Sequence, residues 1–360
     1  MRALQAPGRA AIIAQGSPVA AGTRGRLAKS SLIWTDIDYE REGKQVGWLH
    51  LPHSVTRSAY GTIAIPIAVI RNGAGPTVLL TAGNHGDEYE GQIALAKLIR
   101  SLEPSAMRGR VIVLPALNLP AAMAGERVSP IDGGNLNRSF VDEPDRGPTW
   151  AIAHYLDSVL YKMADITHDL HSGGSSLDYL CFASLHLTGI AEIDTRARAA
   201  LAAFGAPISI EWPRTGDGRF AGDAAKRAGI PYLSGEFAGG GAVSKAALEV
   251  VESGLRRLLG HLGITAKPNE PPPKPSRRMR VPEVNSHAYA PAPGLFEPAC
   301  VLGDTVRAGD LCGVVHFVDD PAREPEECRW RGGGMVICTR RYGRVERGDC
   351  VAHLAVDEPS

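Results

Sequence analysis

The chain has 360 residues, of which 44% are apolar, so it is long enough for two domains or one large domain with a sizeable core. Its 39 basic and 39 acidic residues leave no net charge, which argues against binding to nucleic acid or to an anionic membrane. No apolar run approaches the length of a membrane span. We therefore expect a globular protein with no nucleic-acid or membrane partner.

Cysteine usage and the first residues bear on the compartment. The six cysteines include no Cys-x-x-Cys pair, and five of them lie in the last 61 residues. Free thiols in a reducing cytoplasm are the favoured interpretation, although this C-terminal cluster leaves a disulfide open. Residues 1–35 are basic and contain no acid, and their apolar stretch at residues 10–14 is too short for a secretory signal. We interpret residues 1–30 as a flexible extension and expect a cytoplasmic protein.

Strands and helices alternate in the sequence from Ser31 onward. Short runs rich in β-branched and apolar residues predict strands at residues 46–51, 61–70, 77–82, 109–115, 164–171, 208–211 and 232–236. Apolar residues at helical spacing predict helices at residues 92–100, 149–163, 193–204 and 220–228. This alternation predicts an α/β fold, a mostly parallel or mixed sheet flanked by helices, over residues 31–266.

Four polar side chains follow strands of this sheet. His85 and Glu88 come directly after the strand at residues 77–82, and His171 and Glu236 each close a later strand. Because sites in such sheets collect at the carboxyl ends of strands, we expect all four at one rim. Two imidazoles and a carboxylate are the ligand set of catalytic zinc hydrolases, and Glu236 would then move protons.

Each of these residues also has a structural interpretation. A His-x-x-Glu pair arises easily by chance in a polar turn, His171 could hydrogen-bond to the backbone, and Glu236 could cap a helix or pair with a cation. Their common placement favours the metal site. Asp169, two residues before His171 on the same face of a strand, could orient that histidine or pair with a Lys or Arg. His168 points the other way and is interpreted as structural.

Four motifs together resemble the succinylglutamate desuccinylase and aspartoacylase family, a branch of the zinc carboxypeptidase fold. They are Gly-Asn-His-Gly-Asp-Glu at residues 83–88, Asn-Leu-Asn-Arg-Ser-Phe at 135–140, Asp-Leu-His at 169–171 and Gly-Glu at 235–236. They occur in the family's order, and the resemblance covers roughly residues 46–260. It implies one zinc ion per chain, held by His85, Glu88 and His171.

The resemblance also implies roles for the remaining site residues. Glu236 would activate the zinc-bound water and pass its proton to the leaving amine. Asn137 and Arg138 match the clamp for the substrate carboxylate, and Arg127 matches the arginine that polarises the scissile carbonyl. Two departures concern the substrate: residues 141–144 are Val-Asp-Glu-Pro where many relatives have Pro-Gly, and Asn135 stands where they often have Asp.

A proline-rich, charged segment at residues 267–280 predicts a linker, after which the composition changes. Residues 281–360 read as short strands punctuated by glycines, similar to the small all-β barrel-sandwich fold of biotin and lipoyl carriers. The expected carrier hairpin at residues 335–341 has no lysine, so covalent cofactor attachment is not expected. In the family such a domain packs beside the active site and narrows access to it. His287, His316 and His353 lie here and are interpreted as structural or surface residues.

The motifs favour a zinc-dependent amidohydrolase that removes an acyl group from a small N-acyl amino acid. Within the family the sequence looks most like the bacterial deacetylases of ectoine breakdown, which act on N-alpha-acetyl-L-2,4-diaminobutyrate. Asp87, Glu90 and Asp178 are candidates for binding the second, cationic amine of such a substrate. The alternatives are aspartoacylase or desuccinylase activity, a peptide-cleaving zinc carboxypeptidase, and a metal-binding protein without catalysis. A homo-oligomer is possible.

Overall fold

The structure is a computed structural model, which describes residues 31–212, 217–269 and 273–358. The contacts group Ser31–Ser360 into one unit, and the predicted extension at residues 1–30 lies outside the described residues. The helices of the described residues are α1 Tyr89–Ser101, α2 Leu119–Ala124, α3 Pro148–Tyr155, α4 Tyr161–Met163, α5 Ala191–Phe204, α6 Ala221–Ala228 and α7 Lys245–His261. A π-helical turn, Leu156–Leu160, joins α3 to α4, so the helix predicted at residues 149–163 is present with one wide turn.

The strands occupy both halves of the described chain. They are β1 Trp34–Thr35, β2 Gly43–Pro52, β3 Thr62–Asn72, β4 Thr77–Ala82, β5 Gly109–Leu114, β6 Ile166–His171, β7 Leu177–Tyr179, β8 Phe182–His186, β9 Ile208–Trp212, β10 Tyr232–Glu236, β11 Arg277–Arg280, β12 His287–Tyr289, β13 Gly294–Pro298, β14 Thr305–Val306, β15 Leu311–His316, β16 Glu326–Arg329, β17 Gly334–Arg340, β18 Arg344–Val345 and β19 Cys350–Asp357.

A large mixed sheet of 15 strands forms the centre of the molecule. Its main path runs β1-β2-β3-β5-β4-β6-β10-β8-β9-β11-β19-β17-β14. The neighbours β5-β4-β6-β10 pair in parallel, whereas β8 lies antiparallel to β10. The α/β class and the mixed sheet flanked by helices are confirmed. The central strands are buried on both sides, which explains why they read as continuous apolar runs.

Helices cover this sheet on both faces, each over its own apolar core. On one face α1, α5 and α7 pack against the sheet around Leu95, Phe204 and Leu255. On the other face the segment from α3 to α4 and helix α6 pack around Ile152 and Tyr161. The strands are packed between these two cores, so the ends of β4, β6 and β10 keep fixed relative positions.

The C-terminal strands are divided between a small separate sheet and the large sheet. Four of them form a separate antiparallel sheet, β16-β15-β13-β18, whose core includes Trp330 and Val315. The others extend the large sheet, because β11 pairs in parallel with β9 and antiparallel with β19. Residues 277–280 of the predicted linker are therefore a strand. The prediction of a hairpin at residues 335–341 is wrong, because this segment belongs to β17, a largely buried strand that pairs with β14, β19 and β7.

Two chain-wide predictions can be compared with this fold. All six cysteines are free thiols, so the disulfide left open for the C-terminal cluster is absent. Within the described ranges, no helix has both the length and the apolar character that a membrane crossing requires.

Candidate active site

The candidate residues meet at the carboxyl ends of three neighbouring strands. Strands β4, β6 and β10 lie side by side in parallel, and Glu236 at the end of β10 stands in register with His171 at the end of β6. His85 and Glu88 follow β4 in the turn that leads into α1. The strand-end argument made from the sequence therefore describes the geometry correctly.

The turn at residues 83–88 is shaped by glycine. A Cβ atom on Gly86 would lie 2.0 Å from the backbone carbon of Ala121, so only glycine allows α2 to pack this closely against the turn. Gly83 has a left-handed backbone, with φ +68°, and the Asn118 backbone N–H donates to its carbonyl oxygen at 2.9 Å. The turn is thus rigid, and it presents His85 and Glu88 on the same side.

His85, Glu88 and His171 form one cluster of possible metal ligands. One ligand atom from each residue lies within 4.8 Å of the other two, and all three side chains are buried. His85 Nδ1 is 2.6 Å from Glu88 Oε1, and His171 Nδ1 is 2.8 Å from Glu88 Oε2. Two imidazoles and a carboxylate at this spacing fit a divalent cation of the zinc type.

The electrostatics of two of the three residues agree with that use. Burial by itself would raise the pKa of Glu88, but the charges and hydrogen bonds of His85 and His171 outweigh burial and hold the pKa well below its usual range. Burial lowers the pKa of His85, and the charge of Glu88 offsets this only in part. Glu88 is therefore ionised and His85 is neutral at neutral pH, which are the protonation states that metal ligands need. Burial by itself would lower the pKa of His171, but the charges of Asp169 and Glu88 outweigh it and raise that pKa well above its usual value, so this ring must release a proton when it binds a metal.

Asp169 contacts the His171 ring at the nitrogen that faces away from Glu88. Its Oδ2 atom is 3.0 Å from His171 Nε2, while the Thr81 hydroxyl, the Asn84 amide and the Tyr232 hydroxyl donate to the same carboxylate at 2.8, 2.9 and 3.2 Å. Because this hydrogen bond engages Nε2, it leaves Nδ1 on the side of Glu88. Of the two interpretations of Asp169, orientation of a site histidine is the one that the structure supports. His168 points to the opposite face, where its ring meets Phe204 edge-on at 4.7 Å.

Glu236 is a carboxyl group with an unusual environment. It lies on the wall of the cavity beside His171, and its Oε2 atom has no hydrogen-bond partner among the described residues. Burial, helped by repulsion from Glu88, raises the pKa of Glu236 to about 8. A carboxyl whose pKa lies near neutrality can both take and return a proton during a reaction.

The loop between α2 and α3 contributes Arg127 and Asn135. Arg127 Nη1 lies 3.4 Å from His85 Nδ1 and 3.6 Å from Glu88 Oε1, and its side chain is about half exposed. Asn135 Oδ1 is 3.2 Å from His85 Nε2, so it accepts the ring N–H and leaves Nδ1 free toward Glu88. Asn135 was noted in the sequence only as a departure from Asp, and its contact with His85 was not predicted.

Asn137 and Arg138 lie in a 3₁₀ turn of the same loop and face the cavity. Asn137 Oδ1 accepts the backbone N–H of Ala221 at 3.0 Å, which ties the loop to the start of α6 and leaves the amide nitrogen available. The exposed Arg138 guanidinium stacks over the Phe220 ring at 4.1 Å, and its Nη1 atom donates to the Asn137 carbonyl oxygen at 2.8 Å. A stacked, planar guanidinium is oriented for two parallel hydrogen bonds to a carboxylate.

One cavity of about 830 Å³, large enough for a small amino acid derivative, is lined by His85, His171, Glu236, Arg127, Asn137 and Arg138. The three acids proposed for a cationic amine do not line it. Asp87 accepts the backbone N–H of Ser175 at 2.7 Å, and Glu90 accepts that of Ser244 at 2.9 Å, so both stabilise the packing of neighbouring loops. Asp178 lies in β7, 3.8 Å from Arg341.

Sequence reasoning missed part of the cavity wall. His287 and His353, interpreted as structural or surface residues, line the cavity together with the segment 281–283 and Tyr179. Only His316 of the three C-terminal histidines is at the surface, where it pairs with Glu297 at 2.6 Å. Three isolated histidines in a module that follows a catalytic domain carry no periodic signal that would identify these positions.

The fold and the site, with three possible metal ligands at the ends of parallel strands, match a family of amide hydrolases. The profile of the succinylglutamate desuccinylase/aspartoacylase catalytic domain matches residues 74–262, and the chain belongs to this family. The resemblance inferred from the four motifs is thus confirmed.

Relatives match over nearly the whole chain. An N-alpha-acetyl-L-2,4-diaminobutyric acid deacetylase from Halomonas elongata is 38% identical over 327 residues, which are 91% of this chain and 96% of that relative. A product-bound structure of the ectoine utilization protein EutE (DoeB) from Ruegeria pomeroyi is 39% identical, with a TM-score of 0.87 over 91% of this chain and 100% of that one. A succinylglutamate desuccinylase/aspartoacylase structure from Rhodobacter sphaeroides is also 39% identical, with a TM-score of 0.85 at the same coverage.

Proposed function

We propose that this protein is a zinc-dependent deacylase of small N-acyl amino acids, with N-alpha-acetyl-L-2,4-diaminobutyrate as its substrate. The observation that carries the proposal is that His85 and His171, which form a cluster of possible metal ligands with Glu88, line one cavity together with Glu236 and Arg138. The substrate assignment is supported by relatives at 38% and 39% identity that match over at least nine-tenths of the chain. Free thiols fit a reducing compartment, and we place the enzyme in the cytoplasm.

His85, Glu88 and His171 would hold one zinc ion. When bound, the ion supplies Lewis acidity that makes water nucleophilic at neutral pH and polarises the acyl carbonyl. Asn135 and Asp169 fix the two imidazole rings by their far nitrogens, so the donor atoms do not have to be reorganised for binding.

Glu236 manages the proton in this proposal. Its carboxylate accepts a proton from the attacking water as the new C–O bond forms, and it returns that proton to the amide nitrogen as the C–N bond breaks. Acetate and the free amine are the products. The cationic Arg127 stands beside the metal-binding cluster, where it stabilises the negative charge that develops on the carbonyl oxygen.

Asn137 and Arg138 would anchor the substrate by its α-carboxylate. The stacked guanidinium can form two parallel hydrogen bonds, and the free amide nitrogen of Asn137 can add a third. An anchored carboxylate places the acyl amide at a fixed distance from the cluster, which converts binding energy into orientation.

Metal content and turnover, measured on the wild type and three variants, test this proposal. We expect His85→Ala to lose stoichiometric zinc and activity, whereas His316→Ala, a histidine outside the cavity, should keep both. Glu236→Gln should retain zinc and lose at least about 100-fold in kcat, because general acid–base catalysis contributes about 10²- to 10⁴-fold.

The substrate panel separates the alternatives. It contains N-alpha-acetyl-diaminobutyrate, acetyl-aspartate, succinyl-glutamate and blocked dipeptides, each assayed by release of free amine. Turnover of acetyl-aspartate or succinyl-glutamate but not of acetyl-diaminobutyrate would contradict the substrate assignment. Cleavage of only the dipeptides would indicate a carboxypeptidase, and a zinc-loaded protein with no turnover of any compound would indicate a binding protein.

A further inference from the structure

The C-terminal module supplies one section of the cavity wall. Residues 281–286, which we name the strap, connect β11 to β12 and pass along the cavity before the chain enters the C-terminal core. The cavity-lining residues of this module are Val281, Pro282, Glu283, Ser286, His287 and His353. This section of the wall is remote in sequence from every motif that carries the proposed chemistry.

The strap is held at both ends. Before it, β11 pairs with β9 of the catalytic sheet and with β19. At its other end the Ser286 carbonyl oxygen accepts the Leu354 backbone N–H at 2.9 Å, and Ser286 itself is buried. Glu283 is therefore an exposed side chain on a fixed piece of backbone at the cavity, rather than on a free loop.

The chemistry of this wall suits a cation. Glu283 and Glu236 are the only carboxylates among the described residues that line the cavity, and Glu283 has no ion-pair partner in the described part of the chain. His353 is 4% exposed, and its Nδ1 atom has no hydrogen-bond partner among the described residues. His353 and His287 stack with ring centroids 4.7 Å apart and an interplanar angle of 9°.

Both imidazoles are neutral at neutral pH. Burial lowers the pKa of His353 to about 3, and burial also lowers the pKa of His287. A neutral imidazole can accept a hydrogen bond through its bare nitrogen, which a protonated one cannot do. The wall thus combines the negative charge of Glu283 with two neutral imidazoles, and these residues add no positive charge.

We propose that Glu283 and His353 form the subsite that recognises a cationic amine on the side chain of the substrate. The inference rests on the proposed function and deepens it, because it assigns the second amine of a diamino acid to residues outside the catalytic motifs. Arg127 and Arg138 line the same cavity, so a substrate with a carboxylate and a distant ammonium would meet side chains of opposite charge for its two ends. An acidic side chain placed beside Glu283 would be repelled.

The test compares two substrates that differ only in the second amine. N-alpha-acetyl-2,4-diaminobutyrate carries it, and N-acetyl-2-aminobutyrate has the same carbon chain without it. We expect Glu283→Gln to lower kcat/KM for the diamino substrate about five- to tenfold, mainly through KM, and to leave the value for the neutral analogue within about twofold. Glu283→Lys should lower kcat/KM for the diamino substrate further, again without a comparable loss for the neutral analogue. Glu324→Gln, an exposed acid of the same module away from the cavity, is the matched control and should change neither value.

His353→Phe provides a second, independent measurement. Phenylalanine keeps the aromatic ring but removes the acceptor nitrogen, so a selective loss for the diamino substrate is expected here too. If Glu283→Gln lowers kcat/KM equally for both substrates, or changes it for neither, the proposed subsite is wrong while the proposed function stands.

A readout without turnover keeps the two proposals separate. Calorimetric binding of 2,4-diaminobutyrate and of 2-aminobutyrate to the zinc-loaded protein measures the same preference on the products. If the wild type hydrolyses neither acetyl compound, the proposed function fails. In that case a preference for 2,4-diaminobutyrate that Glu283→Gln abolishes would still support the subsite, and no such preference would overturn it.

Discussion

Replacing Asp169 by asparagine isolates the charge that stands behind His171. The carboxylate receives hydrogen bonds from Thr81, Asn84 and Tyr232 as well as from the His171 ring. Asparagine can keep all four contacts, because its amide nitrogen can point at the Thr81 hydroxyl, which rotates to accept, while its oxygen takes the other three. The variant therefore loses the negative charge with little loss of hydrogen bonds.

The magnitude follows from the distance between the two groups. The Asp169 carboxylate lies 3.0 Å from His171 Nε2, so its negative charge makes the opposite ring nitrogen a stronger electron-pair donor to a cation. Losing a supporting contact of this kind lowers metal affinity about 10- to 100-fold, which is about 1.4 to 2.7 kcal/mol. Because the hydrogen bonds persist, we expect the free energy of unfolding to fall by only about 1 to 2 kcal/mol.

Zinc competition against a chromophoric chelator measures the affinity, and chemical denaturation of the metal-free protein measures the stability. Asp194→Asn is the matched control: that buried carboxylate accepts two hydrogen bonds from Thr188 and one from Gly189 at the start of α5. The control should lose stability but keep its zinc affinity. If Asp169→Asn binds zinc within about twofold of the wild type, the reasoning about the charge behind His171 is refuted.

Three further predictions concern other parts of the molecule. Arg138→Lys should raise KM for an acyl amino acid about tenfold with little change in kcat, since lysine cannot form the two parallel hydrogen bonds; an unchanged KM would remove Arg138 from the carboxylate clamp. Burial lowers the pKa of His168 from 6.5 to about 4, so the folded protein binds fewer protons there than the unfolded chain, and stability falls as the pH drops below about 6.5. At pH 5 the lowered pKa of His168 costs the folded wild type about 2 kcal/mol of unfolding free energy. Between pH 7.5 and pH 5 the His168→Leu variant should therefore lose about 2 kcal/mol less unfolding free energy than the wild type. Gly91→Ala should lower the unfolding free energy by about 1 to 3 kcal/mol, because the new Cβ would lie 2.6 Å from Leu170 Cβ; a more stable variant would contradict the packing of α1 on β6.

Much of the catalytic sheet could be predicted from local patterns. Strands β4 and β10 have the predicted bounds, because a short run of apolar and β-branched residues between turn signals is determined by residues close in sequence. The meeting of His85, Glu88 and His171 also followed, since each stands at the end of a strand and parallel strands end at one edge. Their use as zinc ligands remains a prediction.

The sequence by itself therefore determined the α/β class, the order of the catalytic elements, and the residues gathered at one rim. Only the tertiary structure decided which side chains hold that rim in place and what closes the cavity over it. The contact of Asn135 with His85 depends on how an irregular loop folds back. The placement of Glu283 and His353 depends on β11 and β17 pairing with strands β9 and β7, which are far away in the chain. Pairings of this kind are selected by the packing of the whole molecule, and no periodicity in a local window records them.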